Sequence, residues 1–180
     1  MKWLVFLFFF AMLVGCTSGA KHDLDDVVAE VMGEEVTAEE VYQYRYHRDR
    51  TFEQSVILFA TYKLRFKIAE EHGFNMTEQE VEEEIENGRE SGVFDYFLEE
   101  NYASFEEGAE ILNIGVEEYT LERYKRSIVE GEGSSYLIEE VYCEEVTEEP
   151  CPDTTEEFNE KMMDYLQELN EEYIEYQINE

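Results

Sequence analysis

Along this chain a small polar residue is repeatedly followed, three places later, by Glu or Gln just ahead of an apolar-periodic stretch. The instances are Thr37-x-x-Glu40, Thr51-x-x-Gln54, Thr77-x-x-Glu80, Ser104-x-x-Glu107 and, in an Asp form, Asp153-x-x-Glu156. Such a pair closes a helix N-terminus reciprocally. The first side chain accepts from a backbone N–H of the first turn, and the second reaches back to the cap residue's own N–H. Gly73, Gly92, Gly115 and Gly131 each follow a periodic segment, where a left-handed residue ends a helix. These starts and stops predict short and medium helices in series, and so a mainly α fold.

The segments between them carry the core pattern. From Phe52 to His72, Phe52, Val56, Phe59 and Phe66 form one stripe that Ile57, Leu64 and Ile68 widen, which predicts a helix clamped among others. Residues 78–90 are acidic on their outward face, with Val81 and Ile85 left to dock. Residues 116–130 bring Tyr119, Leu121, Tyr124 and Ile128. Residues 156–178 space Phe158, Met162, Tyr165, Leu166, Leu169, Tyr173 and Tyr176 as a helix does, a core stripe and not a ligand box. Tyr42, Tyr44 and Tyr46 alternate like a strand face, but the capping box before them favours helix. Ahead of Thr37, the β-branched run Val27–Val31, the turn Met32-Gly33-Glu34-Glu35 and then Val36 predict a short strand–turn–strand.

The N-terminus reads differently. Met1-Lys2 is a short positive start and Trp3 to Val14 is unbroken apolar sequence, of signal-peptide length and short for a membrane span. Leu13-Val14-Gly15-Cys16 follows and resembles a bacterial lipobox at all four positions. The resemblance implies cleavage between Gly15 and Cys16, and diacylglyceryl attachment at the Cys16 thiol. The protein is then expected at the cell membrane, lipid-anchored on the extracytoplasmic face. The expected division is a lipoprotein signal peptide over 1–15, a lipidated tether over 16–23, a helical domain over 24–143, an acidic loop over 144–155 and a C-terminal helix over 156–180.

Charge narrows the partners. Thirteen Lys and Arg face 46 Asp and Glu, a net charge of −33. Such a field repels nucleic acid and anionic head groups, so no nucleic-acid partner is expected. The Glu residues run along the whole chain and read as a solvating surface; the competing reading is a surface that holds cations or basic clients. Arg45, Arg48, Arg50, Lys63, Arg65 and Lys67 form one basic cluster, and Arg123, Lys125 and Arg126 another. Pairing with nearby Glu residues accounts for both better than recognition of an anion does.

With Cys16 assigned to lipid, Cys143 and Cys151 remain, either a small disulfide in an oxidising compartment or two thiols. His22, His47 and His72 share no metal-ligand spacing, Asp23-x-Asp25-Asp26 lacks the rest of a calcium loop, and Gly131-Glu132-Gly133 builds neither a nucleotide loop nor a nucleophile elbow. The sequence therefore predicts no catalytic residues, no metal, no cofactor and no enzyme activity.

"VVAEVMGEEVTAEEV" resembles the entry of the SurA N-terminal-domain family, in which a strand, a Gly turn and a second strand run into a helix. "FEQSVILFATYKLRFKIAEEHGFNMTEQEVEEEIE" is similar to the long apolar helix and Thr-capped acidic helix that follow there. "FEEGAEILNIGVEEYTLERYKRSIV" resembles its later helices. The chain departs at Met32, where the family pattern has Asn, and after residue 130, where no parvulin-type prolyl isomerase domain follows. The resemblance implies a chaperone module that binds unfolded or secreted polypeptides without isomerase activity. The alternatives are a non-catalytic structural or interaction lipoprotein docking to one envelope partner, and an acidic cation-binding surface protein.

Overall fold

The computed structural model describes residues 22–143 and 156–177. They form a mainly helical fold around a small antiparallel sheet near the N-terminus. Strand β1 (Val27–Val31) and strand β2 (Glu34–Thr37) form the expected hairpin, with a bulge between Val27 and Ala29. Its two-residue turn places Met32 at φ 52° and Gly33 at φ 80°, the left-handed pair that a tight hairpin twist demands. Met32 holds this conformation while its side chain packs on the core.

A third strand, β3 (Ile174–Tyr176), pairs with the other edge of β1, giving the order β2-β1-β3. Here the structure corrects the reading of 156–180 as helix throughout. The last helix, α6, spans Glu156–Tyr173, and Tyr176 then lies opposite Ala29 and not on a helical stripe. The Gln177 N–H donates to the Val28 carbonyl at 3.0 Å. An open edge of β1 supplies ladder partners that local helical periodicity does not reveal.

Three capping boxes form as the sequence predicts. Thr37 opens α1 (Ala38–Arg45), Thr51 opens α2 (Phe52–Glu71) and Thr77 opens α3 (Glu78–Glu90), each reciprocally bonded to Glu40, Gln54 or Glu80. Ser104 opens nothing. It lies buried inside α4 (Val93–Leu112), where its hydroxyl accepts from the Arg48 N–H at 3.4 Å. Asp153 lies outside the described residues.

Gly73 (φ +100°) and Gly92 (φ +79°) end α2 and α3 in the left-handed conformation as expected. Gly115 does not: Asn113 takes that conformation after α4, and Gly115 is the extended N-cap of α5 (Val116–Tyr136). Gly131 sits within α5, which continues into a wider π-helical turn, Leu137–Tyr142. Nearby Gly133, also within α5, sits against α2. A Cβ there would lie 2.9 Å from a Phe66 ring carbon, so the glycine permits close contact between α5 and α2.

The main core joins sheet and helices: Val28, Val31 and Val36 meet Val41 and Tyr42 of α1, Val56, Phe59, Leu64 and Ile68 of α2, Leu137 and Val141 of the π turn, and Leu166 of α6. Ile57, expected to widen the α2 stripe, points outward at 48% exposure. A smaller core holds Phe105, Ala109 and Tyr119 between α4 and α5.

Candidate functional site

The basic clusters are largely spent inside the fold. Glu130, 1% exposed on α5, forms ion pairs with Arg45 of α1 and, at 2.6 Å, with Arg126 one turn earlier. The Arg45 guanidinium lies 4.6 Å from the Tyr62 ring centroid and that of Arg126 5.4 Å from Tyr44. Arg123 donates to the Tyr46 carbonyl at 2.6 Å and to the Tyr119 hydroxyl at 3.2 Å. Burial, then the neighbouring Arg123, brings the Arg45 guanidinium down to about 10, so it stays charged at neutral pH. Lys63 reaches Glu40 at 3.3 Å and the Glu35 carbonyl at 3.4 Å, and Lys67 pairs with Glu34. These cations hold acidic helices together.

At the opposite corner the chain builds a hollow. Gly73 turns the chain out of α2, and the Phe74 N–H donates back to the Ala69 carbonyl at 2.9 Å. That return bond fixes the linker Phe74-Asn75-Met76 beneath the start of α3. The Phe74 ring is wedged edge-on to Phe66 and against Tyr136, whose hydroxyl donates to the His72 carbonyl at 2.9 Å. Thr77 then starts α3, and Glu80, Glu83 and Glu84 follow at helical spacing on one face. Glu132 of α5 stands on the far side, and this open hollow has a volume of about 310 Å³.

Phe74 and Met76 are half-buried in this hollow, while Glu80, Glu83, Glu84 and Glu132 are exposed around it. Among the described residues no basic side chain lines it. Backbone and hydroxyl hydrogen bonds from Thr77 hold the Glu80 carboxyl below the usual carboxylate range. On its other side α3 is seated firmly. Ile85 is buried, and Gly88 faces the Tyr124 hydroxyl so closely that a Cβ would overlap it.

A second hollow, of about 540 Å³, lies between the 46–50 turn and the α4–α5 corner. Arg48, Glu106, Glu107, Glu110, Ile114 and Val116 contribute to it. It is acidic too, but Arg48 stands in its wall. Burial, followed by a hydrogen bond with Glu107, pushes the nearby Tyr46 hydroxyl well up.

Of the residues singled out in the sequence, Gly15, Cys16 and Cys151 lie outside the described residues. Cys143 is buried and disulfide-bonded. The histidines stand apart: His22 stacks on Phe52 at 4.3 Å, His47 is beside Asp49, and His72 caps α2. Among the described residues no His, Cys, Asp and Glu side chains group as a metal site, and no helix is long and apolar enough to cross a membrane. Sequence reasoning passed over Phe74, Met76 and Glu132. The available signal was two apolar residues caught between a helix-ending Gly73 and a helix-starting Thr77. Comparison of the chain with protein-family models, curated proteins and solved structures finds no match.

Proposed function

We propose that this is a lipid-anchored extracytoplasmic protein of SurA-N-like type that holds unfolded or secreted polypeptides without chemical turnover. The observation that carries the reading is the corner hollow, where Phe74 and Met76 lie beneath a rim of carboxylates. Two half-buried apolar side chains beside solvated carboxylates suit transient capture of a side chain from an unfolded segment. The acidic exterior keeps holder and client in solution. The proposed anchorage rests on the Leu13–Cys16 pattern.

One preparation tests both halves. The full chain is reconstituted in zwitterionic liposomes and added to a chemically unfolded client and, separately, to a prolyl-isomerisation assay. Suppressed aggregation with an uncatalysed isomerisation rate is expected. A client that aggregates as fast as with empty liposomes overturns the holding role, and catalysed isomerisation overturns the non-enzymatic one.

A further inference from the structure

The corner hollow has a chemistry more specific than that of a general apolar patch. Phe74 and Met76 line its floor, and carboxylates from two helices line the same hollow, Glu80, Glu83 and Glu84 from α3 and Glu132 from α5. Among the described residues no cation lines the hollow beside them, whereas elsewhere Glu34, Glu40 and Glu130 are paired with Lys or Arg. An extended segment lying across the hollow therefore meets carboxylates from both α3 and α5. The complementary sequence is a bulky apolar residue with Lys or Arg next to it.

We infer that this hollow is the client site and that it selects extended polypeptide segments in which an apolar residue is flanked by basic ones. The inference rests on the holding function proposed above and adds its specificity. Phe74 and Met76 supply contact, and the carboxylates supply selection. Acidic segments are rejected because their own charges would face the same rim. Exposed ion pairs are individually weak, so two flanking lysines give a preference of about tenfold at low salt. That preference falls as salt screens the rim.

The test uses the full chain in non-ionic detergent micelles and a labelled heptapeptide with one phenylalanine between two lysines. Fluorescence anisotropy compares it with the same peptide carrying glutamines in place of the lysines, with empty micelles as blank. The lysine peptide is expected to bind about tenfold more tightly. The triple variant Glu83→Gln/Glu84→Gln/Glu132→Gln, which alters exposed side chains only, should reduce that preference to about twofold or less while far-UV circular dichroism is unchanged. Met76→Ala should weaken both peptides by roughly threefold and leave the preference intact. Equal binding of the two peptides, or a preference that survives in the triple variant, overturns the assignment. So does saturable calcium binding that the triple variant abolishes with no peptide preference in the wild type. If aggregation suppression persists in the triple variant with peptide binding unchanged, the inference falls and the holding role stands. If the lysine peptide binds selectively but no client is protected, the holding role falls and the site stands.

Discussion

Tyr119 shows how single residues lock this fold. It is fully buried, and its hydroxyl donates to the Tyr42 carbonyl at 2.6 Å, joining α5 to α1. The ring fits because Gly108 has no Cβ: one would lie 2.3 Å from that hydroxyl oxygen. Gly108→Ala is therefore expected to destabilise the protein by about 1–3 kcal/mol. Gly131→Ala, in the same chain but with nothing within 4 Å of its Cβ position, should stabilise α5 by about 0.5–1 kcal/mol. Urea midpoints of the two variants measured side by side check the pair, since opposite signs are required. Glu130→Gln is the third residue-scale case. It leaves two arginines without their shared buried anion, and a loss of about 3–5 kcal/mol is expected in the same titration. Apart from the Arg126–Glu130 pair, one turn apart on α5, these contacts are not written locally. Gly108 and Gly131 look alike as sequence, and only the neighbour across the helix interface separates them.

The element scale was the most legible. Thr37, Thr51 and Thr77 open helices because a capping box is satisfied within four consecutive residues, without help from the rest of the fold. Ser104 presents the same spacing, yet α4 runs through it, since its hydroxyl finds a partner in Arg48 and its neighbour Phe105 is buried against Tyr119. At α3 the box is also a pH element. Thr77 holds the Glu80 carboxyl below its ordinary value of 4.5, so the unfolded chain binds the proton more readily. That contribution is complete above pH 4.5 and disappears as pH falls through the depressed folded value. Thr77→Ala is expected to cost about 1 kcal/mol at neutral pH and to flatten the acid side of the α3 stability profile. Amide hydrogen exchange across 78–84 reads this directly, and an unchanged acid profile would count against the box. The strand β3 was hidden for the opposite reason: Ile174–Tyr176 is strand only because β1 offers it an edge.

For the whole molecule, anchorage is the decisive prediction. Metabolic labelling with a fatty-acid analogue should mark the wild-type chain and leave Cys16→Ser unmarked; equal labelling would end the lipoprotein reading. The helical class, the N-terminal hairpin and the carboxylate excess could be read from the sequence because each depends on spacing or composition. The corner hollow could not. Phe74 and Met76 lie in the linker after α2, Glu80, Glu83 and Glu84 on α3, and Glu132 on α5, far away in the chain. Capping boxes, β-branched runs and net charge are local or additive, so the sequence by itself determined where helices start, where the hairpin turns and what sign the surface carries. Tertiary structure decided which glutamates are neutralised inside, which stand around an apolar floor, and which glycines are contacts and not stops. Those outcomes depend on distances between residues that the chain order holds apart.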